Sequence, residues 1–82
     1  MEEALRFVQF MDVRQTFGKN MRRARIAAGL SQDEIAVRMG VEQTYVSGLE
    51  RGVRNPTLTT LERAAIALNV KLRELLDEWP CS

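Results

Sequence analysis

Between Gln32 and Arg51 the chain reads QDEIAVRMGVEQTYVSGLER, and the placing of two small residues in it, Ala36 and Gly40, constrains the fold more than any other feature. Ile35, Met39, Val41, Val46 and Leu49 supply the apolar positions around them. Ile35 and Met39 stand at helical spacing, as do Val46 and Leu49, so two short amphipathic helices are implied with little chain between them. A leading helix approaches the next one closely only if the residue at the crossing is small, which Ala36 provides. Gly40 has a different task. A chain that reverses within about three residues favours one that enters the left-handed region without a Cβ penalty. Val41 then plugs the turn.

Around this pair the sequence predicts an all-α chain, with no strand-like alternation, internal repeat or low-complexity linker. A first helix is expected over 13–28, with Val13, Phe17, Met21, Ala24 and Ala28 as its core stripe. Gly18 within that stripe either costs on the order of 1 kcal/mol relative to alanine or marks a close packing contact. Gly29 is expected to close the helix. Ser31 with Glu34 three residues on forms a capping box that starts the second helix, 32–39. The third runs over 43–51 with Val46 and Leu49 inward, and Gly52 stops it. In the loop VRNP, Pro56 prevents a helix from resuming at Asn55. Thr57 caps a fourth helix, 58–68, whose predicted stripe is Leu58, Leu61, Ala65 and Leu68. A fifth, over 71–78, carries Leu72, Leu75, Leu76 and Trp79 and ends before Pro80. Leu5 with Val8, and Phe7 with Met11, predict an extra N-terminal helical segment. The organisation expected is therefore an extension over 1–12, a helical domain over 13–79 containing the helix-turn-helix at 32–51, and a tail over 80–82.

Eighty-two residues form one small domain near the lower limit for folding alone, which makes oligomerisation a natural source of extra stability. No apolar run is long enough to span a bilayer, and the start, MEEALRFVQF, is acidic, so no membrane or secretory segment is expected and a cytoplasmic location is the default. The single cysteine, Cys81, excludes an internal disulfide framework and a cysteine-based zinc site. With no histidine, acid–base triads and zinc hydrolase motifs lose their usual members. No catalytic residue, metal or cofactor is expected. The net charge is only +1, but it is unevenly spread. In the count of charge, Arg6 is outnumbered by Glu2, Glu3 and Asp12 at one end, and Lys71 and Arg73 by Glu74, Asp77 and Glu78 at the other. Between Val13 and Gln32 stand Arg14, Lys19, Arg22, Arg23 and Arg25 with no acid, so a positive face can exist despite the modest total.

The third helix carries the chemistry. A rotation of about 100° per residue sets Gln43, Thr44, Ser47, Gly48 and Arg51 opposite Val46 and Leu49, with Tyr45 at the flank. The major groove of B-DNA accepts one α-helix, and its base edges differ in donor and acceptor pattern. A glutamine amide at Gln43 donates and accepts at once, matching adenine N6 and N7. Thr44 offers a hydroxyl and a methyl group, and Ser47 follows one turn later. Gln32 opens the preceding helix, where unpaired N–H groups attract a phosphate. Tyr45, Arg51, Arg54 and Asn55 are candidates for phosphate contacts, which fix register without specifying sequence. Arg25 and Glu50, each beside an apolar stripe, are expected to form a partly buried ion pair between the first and third helices. The competing reading of these polar residues is an ordinary solvated surface.

The stretch GLSQDEIAVRMGVEQTYVSGLERGVRNPTLTTLERAAIALNV resembles the helix-turn-helix domain of the Cro and lambda repressor class, the XRE family. The resemblance rests on GLSQ before the second helix, on Ala36 and Gly40, on the ERG at 50–52, and on the NP before a leucine-rich fourth helix. It implies a compact five-helix lambda repressor-like bundle and a homodimeric transcription regulator on partly palindromic operators. It also implies that Gln32 touches phosphate and buttresses a base-reading Gln43, that Thr44 and Ser47 contact bases, and that Arg25 and Glu50 form the interhelical ion pair. TYVSGLERGVRN is also similar to restriction–modification controller proteins, in which arginine often stands at the position of Gln43. Gly48 and Lys71 depart from a larger polar residue and a capping serine in many relatives.

The expected function is sequence-specific binding of double-stranded DNA by a homodimeric repressor or autoregulator. Leu75, Leu76 and Trp79, joined by Phe7 or Phe10, serve either as dimer surface or as intramolecular core. The alternative is a protein-interaction module of the antitoxin type, or a restriction–modification controller. Contact with RNA polymerase or a toxin is the further partnership considered.

Overall fold

A computed structural model describes residues 13–77. Among the described residues five helices follow one another: α1 (Val13–Ala27), α2 (Gln32–Met39), α3 (Gln43–Arg51), α4 (Leu58–Leu68) and α5 (Leu72–Leu76). The expected N-terminal segment, and with it Phe7 and Phe10, lies outside the described residues, as do Trp79 and the tail.

The local signals place the helix ends. Ser31 accepts from the Glu34 N–H while the Glu34 carboxylate accepts from the Ser31 N–H, so the predicted capping box is complete. Gly40 ends α2 at φ 75°, and its N–H and that of Val41 return to α2 carbonyls. Thr57 Oγ1 accepts from the Thr60 N–H to start α4. α5 is shorter than expected, with Lys71 before its first turn and Asp77 already extended.

Among the described residues Phe17, Met21, Ile35, Val46, Leu49 and Leu75 are the largest fully buried side chains, drawn from α1, α2, α3 and α5. Each contributes about 1.5 to 3 kcal/mol relative to its exposed state. Ala36 is buried between α2 and its neighbours, as its size predicts. Leu75 belongs to the core, which decides the open choice at that position, whereas Leu72 and Leu76 remain over a third exposed.

Three expected core residues are not core. Val13 is 60% exposed and Leu58 82% exposed, although both fall on their helices' apolar stripes. Each is the first residue of its helix, and helical side chains lean toward the N-terminus, so these two point away from the stretch of helix that the other described elements pack against. Ala28 is exposed because α1 has ended and the chain is already turning there. Ala64, outside the predicted stripe, is fully buried in their stead.

Two polar or close contacts orient α1. Gly18 faces the backbone carbonyl oxygens of Leu49 and Glu50 so closely that a Cβ would clash with both. That is the close packing its position allowed. Buried Asn20 donates from Nδ2 to the carbonyls of Leu75 (2.9 Å) and Asp77 (2.8 Å), tying α1 to the end of α5. The α2–α3 pair is thereby mounted on a wall of α1, α4 and α5.

Candidate nucleic-acid interface

The core holds α3 by Val46 and Leu49, and leaves Thr44 and Arg51 exposed with Gln43 and Ser47 half-buried. On one flank a connected run of polar side chains crosses from α1 to the start of α3. Arg25 Nε donates to Glu50 Oε2 at 2.6 Å and Arg25 Nη2 to Glu50 Oε1 at 3.0 Å, a two-pronged contact. Arg25 Nη1 also donates to the Leu30 carbonyl at 2.9 Å. The Glu50 hydrogen bond raises the Arg25 guanidinium above its ordinary value against the opposing effect of burial. The Glu50 side chain is only 2% exposed, so the predicted ion pair is present and closed to water on the glutamate side. Arg22, largely exposed, approaches the same carboxylate to 4.0 Å.

Gln32 Nε2 donates to Glu50 Oε1 at 3.0 Å, and Gln43 Nε2 donates to Gln32 Oε1 at 2.6 Å. The two glutamines expected to cooperate are therefore joined, side by side at the starts of α2 and α3. Their link to the ion pair is a further contact that the sequence reading did not anticipate. Its only sequence signal is that Gln32 and Glu50 close the same two-helix unit at opposite ends.

The other flank is built differently. Tyr45 is half-buried against the core and its hydroxyl shares a 3.3 Å hydrogen bond with Thr60 Oγ1 on α4. The Arg54 guanidinium carbon lies 5.5 Å from the centre of the Tyr45 ring. Arg54 also crosses the α3 backbone at Gly48, where an added Cβ would sit 2.6 Å from Arg54 Cγ. Gly48, expected on the open face, is in fact buried, because Arg54 covers it. A glycine on a polar face was the available hint that another chain segment passes over it. Asn55 is exposed in the same loop. The structure thus brings Gln32 and Gln43 together on one flank and Tyr45 with Arg54 on the other, with Thr44, Ser47 and Arg51 on the face between.

Among the described residues, no helix is long and apolar enough to cross a membrane. The helix-turn-helix family profile matches residues 21–75. An HTH-type transcriptional regulator of Sinorhizobium fredii, y4dJ, is 48% identical over 73 residues, covering 85% of this chain and 95% of the relative. Control protein C.BamHI of Bacillus amyloliquefaciens is 36% identical over 67 residues, covering 80% of this chain and 83% of that protein. Among solved structures, the restriction–modification controller protein C.AhdI from Aeromonas hydrophila superposes with a TM-score of 0.73 at 42% identity, covering 76% of this chain and 94% of that one. With a recognition-type helix exposed on a buried scaffold and relatives that match along most of its length, this chain belongs to the XRE-type helix-turn-helix family of DNA-binding transcriptional regulators.

Proposed function

We propose that the protein is a cytoplasmic homodimer that lays α3 in the major groove of each half of a partly palindromic operator, repressing or autoregulating the promoter it covers. Gln43, Thr44 and Ser47 read base edges. Gln32, Tyr45, Arg51, Arg54 and Asn55 contact the phosphate backbone on either side, and Arg25 with Glu50 keeps α1 and α3 in register. The observation that carries this reading is the 2.6 Å hydrogen bond from Gln43 to Gln32, which sets a reading amide beside the first turn of α2, where a phosphate can be held. The half-exposed Leu72 and Leu76 on α5 support a dimer contact on that helix.

The restriction–modification controller is the favoured physiological role, because C.BamHI and C.AhdI match across most of their own lengths. A controller of this kind would act in the company of RNA polymerase at its promoter. Selection of bound sites from random duplex DNA tests the proposal. The expected product is an inverted repeat whose half-sites lie about 34 to 36 Å apart, one helical turn, or a multiple of it. Recovery of unenriched sequence at moderate salt overturns it.

A further inference from the structure

The run of contacts from Arg25 to Gln43 has a direction, and its direction is set by Glu50. A carboxylate clasped by a guanidinium has acceptors only. The 3.0 Å contact between Gln32 and Glu50 Oε1 therefore requires the NH2 group of Gln32, not its carbonyl, to face α3's last turn. That choice turns Gln32 Oε1 toward Gln43, which must answer with its own NH2 group at 2.6 Å. One N–H of Gln43 is thus consumed, leaving a carbonyl oxygen and one N–H for a base.

We infer that Glu50 is a positioning residue for base choice, fixing through Gln32 the orientation in which the Gln43 amide meets the major groove. A free glutamine amide can turn over and fork both N–H groups onto guanine O6 and N7, which are both acceptors. An amide with one N–H engaged cannot. It retains the pairing of one acceptor with one donor that adenine N6 and N7 demand. Glu50 therefore has two tasks: it neutralises Arg25 through both carboxylate oxygens, and through Oε1 it also orders the glutamines. The inference rests on the proposed reading of bases by Gln43.

The test uses the full chain with Arg25→Met combined with Glu50→Gln. The double change removes both charges at similar volume and lets the residue at 50 present either an oxygen or an NH2 group to Gln32. Gln32→Met is the second variant; it cuts the run at its middle and keeps the ion pair, so the question survives if the double variant does not fold. In the free wild-type protein, the side-chain amide protons of Gln32 and Gln43 should be shifted and slow to exchange by NMR. Both variants should lose that signature at Gln43. On duplexes differing only at the Gln43-facing base pair, wild-type preference for adenine over guanine should be roughly tenfold or more, and should fall below about threefold in either folded variant. Loss of the NMR signature with an unchanged adenine preference overturns the inference and leaves base reading standing. No preference in the wild type at any base pair instead removes the proposed function itself.

Discussion

The two flanks of α3 hold their polar groups by unlike means. On the Gln43 side every link is a hydrogen bond with a fixed donor, ending at a glutamate sealed inside the bundle. On the Arg54 side the guanidinium lies over a tyrosine ring and the side-chain stem crosses a glycine, contacts that tolerate sliding. The difference suits the tasks proposed for Gln43 and Arg54 in DNA recognition. Reading a base edge needs atoms held in order, whereas neutralising a phosphate needs only a charge within reach.

The largest expected effect tests whether the rigid flank is truly anchored in the core. Glu50→Ala leaves Arg25 enclosed without its counter-charge, and removing one partner of a buried pair costs about 3 to 5 kcal/mol. Urea unfolding should show a midpoint lowered accordingly. Arg54→Ala, on the exposed flank, should leave the unfolding free energy within about 0.5 kcal/mol of wild type. Equal losses from the two substitutions would erase the contrast.

Binding should separate the flanks next. Gln43→Ala should weaken binding to the selected operator by about 1 to 3 kcal/mol while leaving binding to unrelated duplex nearly unchanged. A uniform loss on all sequences would show that Gln43 serves affinity alone. Arg54→Ala should lower affinity for every duplex and reduce the log–log salt slope by about one unit. A slope that stays constant would take Arg54 off the phosphate backbone and leave the flank without a cation at that point.

How much of this was readable beforehand follows the range of the interactions involved. The boundaries of α2, α3 and α4 were legible because their signals lie within a few residues: Ser31 with Glu34, Gly40, Gly52, and Thr57 before a leucine stripe. The Arg25–Glu50 pair was also legible, since each residue is a charge beside an apolar stripe on adjacent helices. Periodicity failed at Val13 and Leu58, because a stripe says which way a side chain faces and not whether anything lies there to meet it. Gly18 offered two readings, and only the approach of the Leu49 and Glu50 carbonyls chose between them. The same limit hid Arg54 over Gly48 and the extension of the glutamine pair to Glu50. Both depend on side-chain paths between separate segments, which no spacing rule encodes.

The smallest effect concerns acid, and it should loosen one flank before the other. Glu34 closes the capping box at the start of α2, directly after Gln32 and Asp33. The Ser31 backbone N–H, and then the Ser31 hydroxyl, hold its carboxyl below the ordinary value of 4.5. A carboxyl lowered on folding stabilises the folded state fully above the unfolded value, and that contribution ebbs as pH falls through the folded one. Lowering the pH from neutral until it passes the folded Glu34 value should therefore fray the first turn of α2 and disturb the Gln32 amide it carries, while the Tyr45 and Arg54 signals stay in place. A pH titration followed by NMR at those three side chains measures the order of events. If Arg54 shifts in step with Gln32, the two flanks respond as one unit and the capping box has no local hold on the Gln32–Gln43 edge.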